Sequence, residues 1–285
     1  MAEQKNVVVA VRCRPLNARE KENGAQCLVV MDKQKTTLKQ PLQEETSSSK
    51  QHKGRQRQRT YSFDYSYWTA GDRNDPRYAS QTSIFNDIGK AVLGHALSGY
   101  HCCVFAYGQT GSGKSYTMMG SEKDPGLIPR ISQELFTRIR SESQRDRTVF
   151  YRVEVSYLEI YNEKVRDLLN PMLVNLRVRE HPSLGPYVED LTKAAVSTYD
   201  EMLAHMTQGN KARTVAATNM NATSSRSHAV FTIVVTRRTA DLDSKDSDQA
   251  TERVSRISLV DLAGSERANS TMATGIRLKE GVRIN

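Results

Sequence analysis

Three short segments carry side chains of the types, and at the spacings, that handle phosphate. The first, Gly108-Gln109-Thr110-Gly111-Ser112-Gly113-Lys114-Ser115, fits the pattern GxxxxGK[ST]. Bare glycines let backbone amides face an approaching phosphate, and the N-terminus of a following helix adds partial positive charge. Lys114 would then meet the β and γ phosphates of a nucleoside triphosphate, and the Ser115 hydroxyl would sit on Mg²⁺. The second is an apolar run from Ile257 that ends in Asp261 and continues to Gly264 and Glu266 in the order DxxGxE. A carboxylate at a strand end can hold a magnesium-bound water, and the Gly264 amide can sense a terminal phosphate. The third, Asn221-Ala222-Thr223-Ser224-Ser225-Arg226-Ser227-His228, gathers hydroxyls and one fixed cation where little apolar content imposes rigidity. That suits a switch loop whose order depends on the γ-phosphate.

Such loops need a frame, and the flanking sequence alternates strands with helices as an α/β layered domain requires. Residues 7–11 form a nearly unbroken apolar run ending at Arg12, predicted as a strand covered on both faces. Residues 60–67, rich in aromatics, read as another strand. Residues 80–97 carry Ile84, Ile88 and Val92 at helical spacing and stop at Gly99. Residues 102–107 read as a short buried strand running straight into the glycine loop. Thr198 with Glu201 forms a capping box that opens a helix ending near Gly209. Ala229, Phe231, Ile233 and Val235 alternate along one strand, and residues 257–261 make another. The predicted fold is an α/β P-loop NTPase layered fold, its central twisted sheet mostly parallel at the core and flanked by helices on both faces. There is no internal repeat and no convincing second domain.

At 285 residues and 38% hydrophobic content, the chain is long enough to bury one large core. No stretch approaches the roughly 18 consecutive apolar residues of a membrane span, and the N-terminus lacks a signal-peptide core, so a cytosolic protein is expected. Four cysteines, two of them adjacent at Cys102 and Cys103, give neither a disulfide framework nor a CxxC metal pattern. Buried thiols in a strand are the plain reading, and no metal or redox role is expected. The formal net charge of +9 implies an acidic partner, be it nucleic acid, an anionic membrane or an acidic protein surface. Part of that charge is local: Lys50, Lys53, Arg55, Arg57 and Arg59 follow one another with no acidic residue between, as in a solvated surface loop.

On these residues the chain resembles the kinesin motor domain, from Val7 to Asn285. The resemblance rests on Arg12-Cys13-Arg14-Pro15, the phosphate loop, Asn221 to His228, and Asp261 to Glu266. Longer runs resemble the cargo-transporting kinesin-three class: Ser62 to Trp68, Leu176 to Pro182, Gly185 to Leu191 and Gly209 to Asn221. The resemblance implies an ATP-dependent microtubule motor whose microtubule-stimulated ATPase uses ATP and Mg²⁺. It implies that adenine lies against Arg14, Pro15 and Tyr116. Arg12 and the loop residues Gly108, Gln109, Thr110, Gly111, Ser112, Gly113, Lys114 and Ser115 belong to the same nucleotide site. Ser225 completes the Mg²⁺ shell with Ser115 and Asp261, and Ser224 approaches the γ-phosphate. Arg226 and Glu266 pair only when both loops close over ATP, positioning the attacking water and a proton path, with Asn221 and Gly264 in the same catalytic loops. Two unit charges about 4 Å apart at an effective dielectric near 20 attract by roughly 4 kcal/mol before desolvation, enough to bias a bistable loop.

The implied partner is the acidic surface of microtubules, which accounts for a basic domain without nucleic acid or direct membrane contact. The implied location is the cytoplasm, on the cytoskeleton, with cargo or adaptors held by segments outside this sequence. Family contact regions match residues 181–190 and 269–279. Arg277 and Lys279 are the cations there, while Thr274 stands where many relatives carry lysine. A GTPase would carry NKxD, but Asn210-Lys211 is followed by Ala212-Arg213. A non-enzymatic alternative is an adaptor fragment that binds microtubules or another partner without productive ATP turnover. The family continues beyond Asn285 through its main microtubule-binding helix, two further helices, a sheet strand and the neck linker. Residues 1–285 are therefore expected to be a kinesin motor domain incomplete at the C-terminus, with its last helices and one strand missing, ending at the start of that helix: a fragment, an incomplete gene model or a product that cannot walk.

Overall fold

The computed structural model describes residues 6–40, 58–183, 185–219, 224–240 and 251–266. The backbone clusters into two compact units, Met1–Ile84 and Phe85–Asn285. In the first unit, β1 (Ala10–Cys13) precedes α1 (Ala18–Glu22), then β2 (Val29–Asp32), β3 (Lys35–Lys39), β4 (Gln58–Ser62), β5 (Tyr65–Trp68) and α2 (Gln81–Ile84). Strands β2, β3 and β4 form an antiparallel meander, and β1 pairs in parallel with β5.

The aromatic run at residues 60–67, predicted as one strand, is two. At Phe63 the amide bonds Gln34 O, and at Asp64 it bonds Val9 O, so the chain changes partner strand between them. Residues 7–11 are not covered on both faces: Val7, Val8 and Val9 are 73%, 53% and 47% exposed. Pairing within β1 begins only at Ala10, and β5 is its one partner among the described strands. Asn17 caps α1 and Glu20 reaches back to the Asn17 amide, so both orphan N–H groups of that turn are satisfied.

The second unit opens with a π turn at Phe85–Gly89, then α3 (Lys90–Leu97), β6 (Cys102–Ala106), α4 (Lys114–Met118) and α5 (Leu127–Arg145). Next come β7 (Val149–Tyr161), β8 (Lys164–Asp167), β9 (Val174–Leu176), β10 (Val178–His181), β11 (Gly185–Val188) and β12 (Ala194–Val196). The chain continues with α6 (Tyr199–Asn219), a 3-10 turn at Ser224–Arg226, β13 (His228–Thr239) and β14 (Thr251–Asp261). A seven-stranded sheet runs β6-β14-β13-β7-β8-β9, with β12 added to β7, and helices flank it.

This sheet is mixed, and its parallel part is narrower than the sequence suggested. Only β6 and β14 run parallel; β14, β13, β7 and β8 alternate in direction. β13 and β14 are successive strands paired from Ala229↔Asp261 to Thr239↔Thr251, and the stretch of chain between their ends is shorter than the dozen or so residues that a parallel crossover needs.

The core sits where this sheet meets the helices. Phe231, Ile233, Ile257 and Leu259 are each under 2% exposed, as are Ile131 and Leu135 of α5 and Met202 and Met206 of α6. Each such side chain contributes about 1.5–3 kcal/mol of burial. Tyr157 stands edge-on to Phe231 with ring centroids 5.4 Å apart.

The helix predicted over residues 80–97 is interrupted at the π turn, where Gly89 leaves room for the Phe85 ring. The helix predicted to stop near Gly209 instead runs ten residues further, to Asn219. Gly209 is a packing glycine rather than a terminator, since any side chain there would strike the Tyr157 ring. Strand β6, predicted buried, exposes Cys103 and leaves Phe105 64% exposed, because among the described strands only β14 pairs with it.

Candidate nucleotide site

Parallel pairing of β6 with β14 aligns Ala106 with Asp261, so the two strands end side by side. The glycine loop leaves the first strand end and Asp261 closes the second. Gly113 is left-handed at φ 96°, a conformation a side chain would strain, and it delivers the chain into α4. That helix is only five residues long, so little of the partial charge expected of a helix N-terminus is available. Loop amides and Lys114 must supply the positive field instead. The Lys114 ammonium donates to the carbonyls of Gly108 and Gln109 at 2.8 and 3.0 Å. Burial pulls its pKa below the usual lysine range, while Asp261 and Glu266 pull it back up.

Ser115 Oγ donates to Asp261 Oδ2 at 2.6 Å. Asp261 is 4% exposed, and its other oxygen, Oδ1, is buried with no hydrogen-bond partner among the described residues. A buried anionic oxygen beside a serine hydroxyl fits a hard divalent cation or a water bound to one. No group of three or more His, Cys, Asp or Glu is placed to hold a metal among the described residues. The remaining oxygens around such a cation would then come from hydroxyls, phosphate and water, which suits Mg²⁺.

The loop after Asp261 is tied to both other phosphate-handling segments. Leu262 N donates to Ala106 O at 3.3 Å, Ser265 N to Gly108 O at 3.1 Å, and Gly264 N to Ser225 O at 2.7 Å. The amide predicted to sense a terminal phosphate thus holds the serine-rich turn. The Glu266 carboxylate accepts from the Thr110 amide at 2.8 Å and also from the Thr110 hydroxyl. A Cβ added at Gly264 would strike the side-chain ends of Glu266 and Thr110, so any larger residue there would displace their contact. Burial raises the Glu266 pKa, but the Thr110 hydrogen bonds and the nearby Lys114 charge outweigh it and hold the carboxyl below its ordinary range. His228 Nδ1 accepts from Ala263 N at 3.1 Å. Burial and the charge of Arg213 push its imidazole pKa down, against an opposing pull from Asp261.

Arg213 was missed in the sequence and is central here. Its Nη1 donates to Asp261 Oδ2 at 3.2 Å, its Nε lies 3.5 Å from Glu159 Oε1, and its Nη2 reaches Ser227 O at 3.3 Å. One guanidinium therefore joins α6 to β7, to β14 and to the start of β13. A signal was present: Met202, Met206, Gly209 and Arg213 follow at steps of 4, 3 and 4 along α6, one helix face on which a cation is out of place.

Other predicted residues have structural partners of their own. Arg12 donates to Thr69 Oγ1 at 3.0 Å and Gln81 Oε1 at 2.8 Å. Arg14 forms a two-pronged pair with Glu20 at 2.6 and 2.7 Å and also bonds Pro15 O. The Tyr116 hydroxyl donates to Asp124 at 2.8 Å. Ser225 and Arg226 are half-buried in the 3-10 turn that begins at Ser224. Residues 181–190 span the turn of an antiparallel hairpin, where His181 faces Gly185. Asn221, Thr274, Arg277, Lys279 and the basic residues Lys50, Lys53, Arg55 and Arg57 lie outside the described residues; Arg59 is in β4.

Two parallel strands ending together, one feeding a phosphate loop and the other a buried carboxylate, define a P-loop nucleotide-binding domain. Within that class, the kinesin motor-domain family model matches residues 12–285, and the chain belongs to that family. It is 55% identical over 291 residues to "Kinesin-related protein 1" of Dictyostelium discoideum, covering 98% of this chain and 13% of that protein. It is likewise 55% identical over 284 residues to "Kinesin-like protein KIF1A" of Rattus norvegicus, covering 98% and 16%. The chain thus spans less than a fifth of these relatives' length. The KIF1 likeness agrees with the kinesin-three resemblance. Among solved structures, a KIF14 dimer in its two-heads-bound state, with AMP-PNP and in complex with a microtubule, has a TM-score of 0.83 at 42% identity. That match covers 99% of this chain and 74% of the other. KIF14 with ADP in complex with a microtubule has a TM-score of 0.80 at 42% identity, covering 98% and 75%.

Proposed function

We propose that this chain binds ATP at its glycine loop and hydrolyses it to ADP and phosphate in a cycle coupled to microtubule binding. The observation that carries this reading is the pairing of the Ser115 hydroxyl with Asp261, whose second oxygen is buried without a partner among the described residues. Lys114 leaves its loop carbonyls for the β and γ phosphate oxygens. Ser115, Ser225 and Asp261 would hold Mg²⁺, which would supply charge neutralisation at those oxygens. Ser224 approaches the γ-phosphate, and the Gly264 amide exchanges its Ser225 partner for that same group. Arg226 and Glu266 position the attacking water and carry its proton away, with Asn221 in the same loop. Arg12, Arg14, Pro15 and Tyr116 serve the nucleoside end, as the family resemblance implies.

The partner is the microtubule. Both KIF14 structures are microtubule complexes, and a net charge of +9 is compatible with an acidic track. Among the described residues, no helix is long and apolar enough to cross a membrane. The chain acts in the cytoplasm on the cytoskeleton, with cargo or adaptors held by segments outside residues 1–285. Phosphate release from the purified chain, measured with and without microtubules, tests the reading. Magnesium-dependent release that rises on adding microtubules is expected; microtubule binding with no ATP turnover would overturn it in favour of an adaptor.

A further inference from the structure

Residues 119–126 fold back on themselves between α4 and α5. Gly126 N donates to Met119 O at 2.9 Å, Ser121 N to Asp124 O at 3.0 Å, and Asp124 N to Ser121 O at 3.2 Å. Gly120 and Pro125 face each other across this turn. Gly120 is left-handed at φ 75°, and a Cβ on it would strike the backbone of Asp124, Pro125 and Gly126, so the turn closes only on a bare residue. The turn presents Asp124 to two side chains. Its Oδ2 accepts from the Tyr116 hydroxyl at 2.8 Å, and its Oδ1 lies 3.4 Å from Arg130 Nη2. Arg130 is itself held, its Nε donating to Pro125 O at 2.7 Å. A residue of α5 therefore braces the carboxylate, and the carboxylate braces a ring on α4.

Tyr116 directly follows Lys114 and Ser115 in α4. It is 39% exposed, an aromatic side chain left open one residue past the two that the proposed function assigns to phosphate and Mg²⁺. An exposed ring turns about its side-chain bonds unless its polar end is held. We propose that Asp124 is a positioning residue for the nucleoside: it holds the Tyr116 hydroxyl and so presets the ring as a platform on which the base stacks, with Arg130 keeping the carboxylate in place. The inference rests on the assignment of Tyr116 to the nucleoside end made above. Asp124 acts through the ring and not on the phosphates. A ring held in advance loses less freedom when the base arrives, which strengthens binding of a ligand that has a base and leaves a ligand without one unaffected.

The test compares magnesium-ADP with magnesium pyrophosphate, which has phosphates but no base, by calorimetry on the full 285-residue chain. Asp124→Ala should weaken ADP binding about three- to tenfold, the scale of immobilising one side chain, and leave pyrophosphate affinity unchanged. Tyr116→Phe keeps the ring and removes only the donor, so it should do the same, and the two changes together should cost no more than either alone. Asp124→Asn keeps an oxygen that accepts from the hydroxyl and should recover most of the loss. Equal weakening of both ligands, or losses that add in the double variant, would make Asp124 a residue of the fold alone and overturn the proposal. Tyr116→Ala separates this inference from the reading beneath it. If Tyr116→Ala weakens ADP relative to pyrophosphate and Asp124→Ala does not, the base platform stands and its positioning by Asp124 falls. If Tyr116→Ala leaves that ratio unchanged, the base contact itself is struck and the inference falls with it.

Discussion

Replacing Arg213 by methionine keeps most of the side-chain stem and removes the charge that holds Asp261 and Glu159. Arg213 is 9% exposed and both carboxylates are 6% exposed, so water does not screen what is left. Contacts of 3.2 and 3.5 Å at an effective dielectric near 20 are each worth roughly 5 kcal/mol of attraction before desolvation. The net cost is smaller, because Asp261 retains the Ser115 hydroxyl and Glu159 retains Arg166 at 3.9 Å. Removing one partner from a buried ion pair costs about 3–5 kcal/mol, against a total domain stability of about 5–15 kcal/mol. Urea unfolding followed by circular dichroism should therefore show a much lower midpoint with an unchanged slope. Adding Glu159→Gln removes one stranded charge and should restore at least about 1 kcal/mol. A loss below about 1 kcal/mol in Arg213→Met, or a double variant weaker than the single, would mean that Arg213 does not hold these two carboxylates in place.

Three further outcomes follow from the same contacts. Gly209→Ala gains about 1 kcal/mol of helix propensity but forces its methyl into the Tyr157 ring, so it should destabilise by about 1–3 kcal/mol in urea; a stabilised variant would contradict the packing role. His228 should titrate below its ordinary 6.5 in an NMR pH series, because burial and Arg213 disfavour the imidazolium. The unfolded chain then takes up this proton first, so the stability from His228 is full above about 6.5 and is lost as pH falls through the folded value; titration at or above 6.5 would contradict this. Lys114→Ala should weaken magnesium-ADP binding about ten- to hundredfold by calorimetry, since a hydrogen bond to a charged group is worth about 1.5–3 kcal/mol; unchanged affinity would remove Lys114 from the phosphate site.

The phosphate loop was legible because its function needs particular residues at fixed spacing: bare glycines, one lysine, one serine. The same holds for Asp261, whose place at the end of an apolar run already put a carboxylate at a strand terminus. Strand direction was not legible. Residues 229–235 and 257–261 read as buried strands, but nothing in their alternation says that they return directly on one another. Gly209 was misread because a glycine that ends a helix and one that admits a neighbouring ring look alike in sequence. Arg213 escaped because its partners, Glu159 and Asp261, are distant in the chain, and only folding shows that its apolar stripe faces two carboxylates. The valines at residues 7–9 were misplaced for a related reason, since an apolar run states a preference for burial and not the presence of a covering strand.

In the proposed cycle the serine-rich turn and the loop from Asp261 to Glu266 act on the terminal phosphate as one unit. Single-turnover ATP hydrolysis by purified Arg226→Ala and Glu266→Ala, with nucleotide affinity measured on the same samples, probes that coupling. The predicted result is affinity close to that of the parent chain with hydrolysis slowed by about a hundredfold or more, the scale of losing a positioned charge from a transition state. Hydrolysis at the parent rate in either variant would contradict it.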